Sequence, residues 1–122
     1  MKKRILIIDD DQDFINPTKY MLENAGYEVV VARNGKEGLS LFGEKTPDLV
    51  LLDIVMPTMD GFEVLHSLRN DFPDCADVPI VMLTAKSDME YTFQARAFGA
   101  TEYIVKSIEA RELLNRVNEI IS

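Results

Sequence analysis

The chain contains 122 residues, of which 47 % are hydrophobic and 28 % are charged, and these values are typical of one globular domain rather than of a disordered segment. Its 21 acidic and 13 basic residues give a formal net charge of −8, which would repel a phosphate backbone and argues against direct binding to nucleic acid. No apolar run approaches the ~20 residues that cross a bilayer, and the single cysteine, Cys75, excludes an internal disulfide.

The N-terminus also argues against export. The apolar stretch that follows MKKR is too short for the apolar part of a signal peptide. We therefore expect a single cytoplasmic domain over residues 1–122, without a membrane partner. The start at Met1 favours a natural N-terminus, and an excised piece of a longer chain is the alternative.

Short apolar runs of strand length recur along the chain. In order they are Ile5–Ile8, Val29–Ala32, Leu49–Leu52, Ile80–Leu83 and Tyr103–Val105. All but the second lack alternating polar positions, which is typical of parallel strands that are covered on both faces. Because helical patterns lie between the runs, the sequence predicts a doubly wound α/β fold: a five-stranded parallel sheet with helices on both faces, forming three layers.

The first helical pattern contains a proline. Pro17 lies among its apolar positions, and a proline inside a helix costs ~3 kcal/mol. We therefore favour a late start in which Asn16 is the N-cap and Pro17 is the first helical residue, where the missing N–H does no harm. A longer, kinked helix is the alternative.

The second, third and fifth helices are marked by a cap, a glycine or an apolar stripe. Asn34 is expected to cap the second helix, which runs through Leu39 and Phe42, and Gly61 is expected to open the third, which carries His66 on its solvated face. The last helix has the clearest apolar stripe, formed by Ala110, Leu113, Leu114, Val117 and Ile121.

The fourth helix shows apolar residues at fourfold spacing. Asp88 is expected to cap it, ahead of Met89, Phe93 and Ala97. This spacing predicts that Met89, Phe93 and Phe98 belong to the core, whereas Tyr91 lies off the stripe and is expected at the surface.

Polar side chains follow four of the five predicted strands. Asp9 and Asp10 end the first, Asp53 the third, Thr84 the fourth and Lys106 the fifth. In open α/β sheets, ligands bind beyond the carboxyl ends of the strands, where the strand order reverses. For the order 2-1-3-4-5 that point lies between strands 1 and 3, so the aspartates are expected at the rim of a site.

This set of side chains suits phosphoryl transfer. Converging carboxylates require a counter-ion, and Mg²⁺ accepts one or two carboxylates together with water and phosphate oxygens. Lys106 adds a cation suited to a phosphate oxygen or to Asp53, and Thr84 adds a hydroxyl that can donate to an anion. A carboxylate can itself be the nucleophile and form an aspartyl phosphate.

Four segments together resemble the receiver domain of two-component response regulators, a flavodoxin-like family. They are IIDDD, LLDIVMPTMDGFEVL, MLTA and GATEYIVK, and the resemblance covers the whole chain in order and spacing. It implies that Asp53 accepts a phosphoryl group from a histidine kinase. It also implies that Mg²⁺ is held by Asp9, Asp10, Asp53 and the backbone carbonyl of Val55, that Lys106 contacts the phosphoryl group, and that Thr84 and Tyr103 form the switch.

The resemblance implies partners as well. These are a sensor histidine kinase or phosphotransfer protein, and an effector that binds the surface of the fourth helix, fifth strand and fifth helix. A phosphorylation-dependent homodimer is a further expectation. The protein would be a signalling switch, not an enzyme in the ordinary sense, because it catalyses only its own phosphorylation and dephosphorylation.

One departure from the family concerns the residue after the lysine. The family usually has proline there, in a cis peptide, whereas this chain has Ser107. A cis bond before a residue other than proline costs ~3–4 kcal/mol. Either the peptide is trans, which would move Lys106 or the start of the last helix, or the fold carries strain.

Two other functional classes stay open. Ser107 motivates a receiver-like interaction module that no longer undergoes phosphorylation. The acidic run after strand 1 motivates a small aspartate-dependent phosphatase, similar to the haloacid dehalogenases, that uses Asp9 as its nucleophile. Asp11 is interpreted as a loop residue in either case.

Overall fold

A computed structural model describes residues 2–85 and 89–121, with backbone alone for residues 89 and 90. The strands are β1 (Arg4–Ile8), β2 (Glu28–Ala32), β3 (Leu49–Asp53), β4 (Ile80–Thr84) and β5 (Glu102–Val105). The helices are α1 (Gln12–Asn24), α2 (Gly35–Glu44), α3 (Gly61–Asp71), α4 (Met89–Ala97) and α5 (Ala110–Ile121), and a 3₁₀ turn spans Pro73–Cys75.

The five strands form one parallel sheet in the order β2-β1-β3-β4-β5. This confirms the predicted fold class and strand order. Ile5 pairs with Val29 on one side and with Leu49 on the other, so β1 is a central strand. The order places β1 beside β3, and the chain therefore leaves both strands at neighbouring points on the same edge of the sheet.

Alternate residues of the central strands face two separate cores. Leu6 and Ile8 pack with Phe42 on the side covered by α2, α3 and α4. Ile5 and Ile7 pack on the side covered by α1 and α5. Because both faces are covered, the strands need no polar alternation, which explains their continuous apolar runs. None of the helices in the described ranges is long and apolar enough to cross a membrane.

The favoured start of helix α1 was wrong, and the longer helix is observed. The helix begins at Gln12, and Pro17 lies inside it. Asp11 lies in the loop before the helix, as predicted, and is also its N-cap, since its side chain accepts a hydrogen bond from the backbone N–H of Asp13 at 3.0 Å. The early start lets Ile15 reach the core, where it is buried, and this burial offsets the helix hydrogen bond that Pro17 cannot donate.

Helices α2 and α3 begin where the sequence predicts. Asn34 caps α2 by accepting from the backbone N–H of Glu37 at 2.8 Å. Helix α3 opens at Gly61, where a Cβ would lie 2.2 Å from the carbonyl oxygen of Asp53. Only glycine permits that approach, so the start of α3 packs directly against the end of β3.

The last helix begins at Ala110 as expected. Leu113 and Val117 are buried in the core, and Leu114 and Ile121 are half-buried beside it. Ala110 itself is exposed.

The predicted burial of Phe93 and Phe98 was wrong, although helix α4 itself is present. Phe93 is 76 % exposed and Phe98 is 44 % exposed, whereas Tyr91 is half-buried. Among the side chains described for this helix, Ala95 is the buried one. Its small size lets the helix approach the sheet, while Tyr91 packs edge-on against Phe62. Tyr91 and Ala95 are four residues apart, and so are Met89 and Phe93. Spacing alone therefore does not show which pair faces the sheet. The predicted cap, Asp88, and the side chain of Met89 lie outside the described residues.

Candidate functional site

Three carboxylates meet at the edge of the sheet where β1 and β3 end. Asp9, Asp10 and Asp53 each present a carboxylate oxygen, and these oxygens lie within 4.8 Å of one another. Asp9 and Asp53 are buried, whereas Asp10 is exposed. The structure thus brings together the three aspartates that follow the first and third strands in the sequence.

Backbone contacts fix the positions of the two buried aspartates. The N–H of Asp9 donates to the carbonyl of Ala32 at 3.0 Å, and its carboxylate accepts from the N–H of Asp11 at 2.9 Å. Asp53 is the last residue of β3. The chain directly after it is held by a hydrogen bond from the N–H of Gly61 to the carbonyl of Ile54 at 2.7 Å. The positions of these side chains therefore follow from the strand order and from the hydrogen-bonded connection between β3 and α3.

Lys106 reaches the same cluster from the end of β5. Its ammonium nitrogen is 2.7 Å from Asp9 Oδ2, 3.6 Å from Asp53 Oδ2 and 3.9 Å from Asp11 Oδ2. The lysine was expected to face a phosphate or Asp53, and Asp9 is the nearer partner. Every peptide bond within the described ranges is trans, including the bond from Lys106 to Ser107. The trans alternative therefore applies, and the lysine still reaches the carboxylates.

The cluster is short of positive charge. Burial, together with the nearby charges of Asp9 and Asp10, raises the pKa of Asp53 to about 6, and the Lys106 ammonium offsets only part of this. Burial also raises the pKa of Asp9 in spite of its contact with Lys106. Both groups would be stabilised in their charged form by an additional cation.

The donor set fits a hard divalent cation. Three carboxylates supply oxygen ligands, and the exposed side at Asp10 leaves room for water or a phosphoryl oxygen. The Asp10 side of the cluster is open to solvent, whereas Asp9 and Asp53 are buried and held in place by the sheet. The open face suits Mg²⁺, because this ion retains several of its waters.

Thr84 lies on β4, the strand beside Asp53, and Tyr103 lies on β5, one strand further along the sheet. Thr84 is fully buried at the end of β4, where its carbonyl accepts from the N–H of Lys106 at 2.6 Å. It directly follows Leu83, the residue paired with Asp53. Tyr103 is half-buried on β5 and packs against the core on the α4 side. Val55 follows the β3 end with an exposed side chain.

Sequence reasoning missed two features near the site. Asp11 caps α1 and also faces Lys106, although it was interpreted only as a loop residue. Asp60 and Glu63 form a reciprocal capping box at the start of α3, beside the β3 end. The spacing of an acid and a glutamate three residues apart, ahead of an apolar run, is the signal that predicts such a box.

Comparison with known proteins gives a consistent match. Residues 5–118 match the family model for the response regulator receiver domain. The chain is 39 % identical over 120 residues to the probable transcriptional regulator ycf27 of Porphyridium aerugineum, covering 98 % of this chain and 48 % of that protein. It is 40 % identical over 118 residues to the DNA-binding dual master transcriptional regulator RpaA of Synechocystis, covering 97 % and 48 %. The chain thus spans about half the length of these curated relatives.

Solved structures agree with this match. The chemotaxis protein CheY4 of Vibrio cholerae superposes with a TM-score of 0.93 at 30 % identity, covering 99 % of this chain and all of that one. A CheY-like receiver domain from Methanospirillum hungatei gives a TM-score of 0.89 at 35 % identity, covering 98 % and 93 %. Neither the phosphatase nor the interaction-module alternative is favoured by these matches.

Proposed function

The chain belongs to the response regulator receiver domain family, and we propose that Asp53 is the residue that accepts its phosphoryl group. Receiver domains are switches of two-component signalling rather than classical enzymes. The observation that carries the proposal is the position of Asp53: a buried carboxylate at the end of β3, within 4.8 Å of two other carboxylates and 3.6 Å from the Lys106 ammonium.

Asp9, Asp10 and Asp53, with the backbone carbonyl of Val55, would hold Mg²⁺. The bound ion would supply positive charge to the phosphoryl oxygens. The proposal is supported by the convergent oxygens and by the raised pKa values of the two buried aspartates, which mark a site that lacks a counter-charge.

The chemistry of the chain's own residues follows from this placement. A carboxylate oxygen of Asp53 attacks the phosphorus of the donor as the bond to the leaving group breaks. The leaving group departs with the bonding electron pair: acetate from acetyl phosphate, or a histidine ring nitrogen from a kinase. Lys106 stands close enough to neutralise charge on the transferred group, at a position that is only 12 % exposed.

Thr84 and Tyr103 are proposed to form the switch. The Thr84 hydroxyl would move toward a phosphoryl group on Asp53, and Tyr103 would then fill the space it leaves. Thr84 ends β4, and Tyr103 lies on the neighbouring β5, where it pairs with Met82 and packs on the α4 side of the sheet. These places on adjacent strands support the mechanism. The surface of α4, β5 and α5 would carry the change to an effector, or to a second copy of the chain in a phosphorylation-dependent homodimer.

A sensor histidine kinase or phosphotransfer protein is the proposed donor. The relatives of twice the length are named as transcriptional regulators, and some as DNA-binding. For residues 1–122 themselves, the net charge of −8 still predicts no direct contact with nucleic acid.

Phosphorylation is tested directly by intact mass after incubation with acetyl phosphate and Mg²⁺, with the modified residue mapped. We expect one base-labile phosphoryl group on Asp53, and none in Asp53→Asn. A label on Asp9 would indicate the phosphatase instead. A folded parent that takes no label would indicate a non-cycling interaction module.

The switch is tested by amide-nitrogen NMR with and without a beryllofluoride adduct. Thr84→Ser keeps the hydroxyl and should retain most of the shifts in α4 and β5, whereas Thr84→Ala should lose them. Shifts of equal size in Thr84→Ala and in the parent would show that the hydroxyl is not the trigger.

A further inference from the structure

Lys106 is contacted by an aromatic ring as well as by carboxylates. Its ammonium nitrogen lies 4.7 Å from the centroid of the Phe14 ring, within the ~6 Å at which a cation is attracted to the face of an aromatic ring. The lysine side chain is 12 % exposed. Such contacts are stronger when water is excluded, so this ring is placed where it can hold the charge effectively.

The ring occupies its place because α1 starts early. Phe14 lies in the first turn of α1, where its N–H donates to the carbonyl of Asp11 at 3.1 Å. Asp11 therefore fixes the first turn of the helix and also faces Lys106 at 3.9 Å. A helix that began at Pro17 would have left Phe14 in a connecting loop.

The lysine has space into which it could turn away from Asp53. A cleft of about 180 Å³ lies between α1 and α5, and the residues that line it with Lys106 include Asp13, Phe14, Pro17, Met21, Ile108 and Leu113. Asp13 gives this cleft a carboxylate that could also attract the ammonium. A lysine stem has four flexible carbons and no rigid fork to direct its charge. Ser107 follows it without the ring constraint of a proline. Contacts to the ammonium must therefore provide the restraint.

We propose that Phe14 is a positioning residue for Lys106. The ring face keeps the ammonium beside Asp9 and within reach of Asp53, so that an incoming phosphoryl group meets the lysine without a rearrangement. This inference rests on the proposed phosphorylation of Asp53 and adds the residue that directs the lysine in that reaction.

The contact itself is tested by NMR on the full chain. The ε-methylene protons of Lys106, assigned with Lys106→Arg, should appear upfield of those of the other lysines because a ring face shifts nearby protons upfield. Phe14→Leu keeps an apolar side chain but removes the ring and should abolish the shift. Phe14→Tyr keeps the ring and should retain it. Phe62→Leu makes the same exchange on α3, on the opposite side of the sheet, and should leave the signal unchanged.

The effect on the reaction is measured as the rate of labelling by acetyl phosphate at saturating Mg²⁺. Phe14→Leu should lower the rate about tenfold, the size expected for loss of a largely desolvated contact, while Phe14→Tyr and Phe62→Leu stay near the parent. The Mg²⁺ concentration that gives half the maximal labelling rate should not rise in Phe14→Leu. General damage to the site would raise it.

The outcomes separate the two proposals. Equal rates for Phe14→Leu and Phe62→Leu, or an ordinary Lys106 signal in the parent, would overturn the role of Phe14. If Phe14→Leu packs poorly, a Phe14→Tyr variant without the upfield shift would overturn it as well. A parent that shows the shift but takes no label would refute phosphorylation, and the NMR result would still establish the placement of Lys106 by Phe14.

Discussion

Asp53→Asn should stabilise the metal-free protein at neutral pH. The substitution keeps the shape of the side chain and removes one charge from a buried cluster. The pKa of Asp53 is raised from 3.8 to about 6, and each pKa unit corresponds to about 1.4 kcal/mol. The side chain is only 7 % exposed, so solvent screens this effect little. We expect the free energy of unfolding to rise by about 2–3 kcal/mol.

The pH dependence has a definite sign. Because the folded-state pKa of Asp53 lies above the unfolded value, the folded parent binds more protons than the unfolded chain between about pH 4 and pH 6. Asp53 therefore adds stability to the parent as pH falls through this window, and the asparagine variant lacks that contribution. The difference between the two proteins should be largest above pH 6 and should vanish near pH 4.

Urea unfolding in EDTA, from pH 4 to pH 8, measures this difference. Asp77→Asn is the matched control, because Asp77 is exposed and precedes β4, at the opposite edge of the sheet. A loss of stability in Asp53→Asn at pH 7 would refute the reasoning. A gain that stays constant across the pH range, or that Asp77→Asn reproduces, would refute it too.

Three further predictions concern the cation and the packing. Mg²⁺ should raise the melting temperature of the parent by mass action. Asp10→Asn should weaken that effect more than Asp11→Asn, because an asparagine at position 11 can still cap α1. Equal losses in the two variants would show that the ligands are misassigned. Pro17→Ala should restore the helix hydrogen bond to residue 13 and raise the free energy of unfolding by about 1–3 kcal/mol, and a loss of stability in urea would contradict this. Phe42→Ala should cost about 3–5 kcal/mol because Phe42 is buried, whereas Phe93→Ala should change stability by under ~0.5 kcal/mol; similar losses in urea would show that Phe93 is packed.

Hydrophobic runs predicted the sheet well because each strand is covered on both faces. Strand β3 (Leu49–Asp53) has all five side chains buried. A short run that is apolar on both faces fits a covered parallel strand better than a half-exposed one. Alternation of strands with helices predicted the doubly wound class, and the flavodoxin-like order 2-1-3-4-5 then determined which strand ends are neighbours. Asp9 and Asp53 could be paired in this way without any measurement of distance.

Helix boundaries and faces were harder to predict because competing terms are of similar size. The cost of an internal proline favoured a start at Pro17, but the cap at Asp11 and the burial of Ile15 outweighed it. On α4, two registers of apolar residues were available, and the smaller Ala95 faces the sheet while Phe93 faces solvent. Close packing against the strand, which sequence spacing does not report, decided between them.

The same electrostatics explain how this site can respond to a cation and an anion together. Asp9 and Asp53 are buried at the end of the sheet, and one ammonium lies 2.7 Å from the first and 3.6 Å from the second. A phosphoryl group on Asp53 would bring further negative charge, close to −2 at neutral pH, and Lys106 would share its single positive charge between that group and Asp9. A divalent cation at the carboxylates would relieve Asp9 of its need for the lysine. Cation binding and phosphorylation would therefore favour each other through Lys106. The orientation of the Lys106 side chain is then central to the switch.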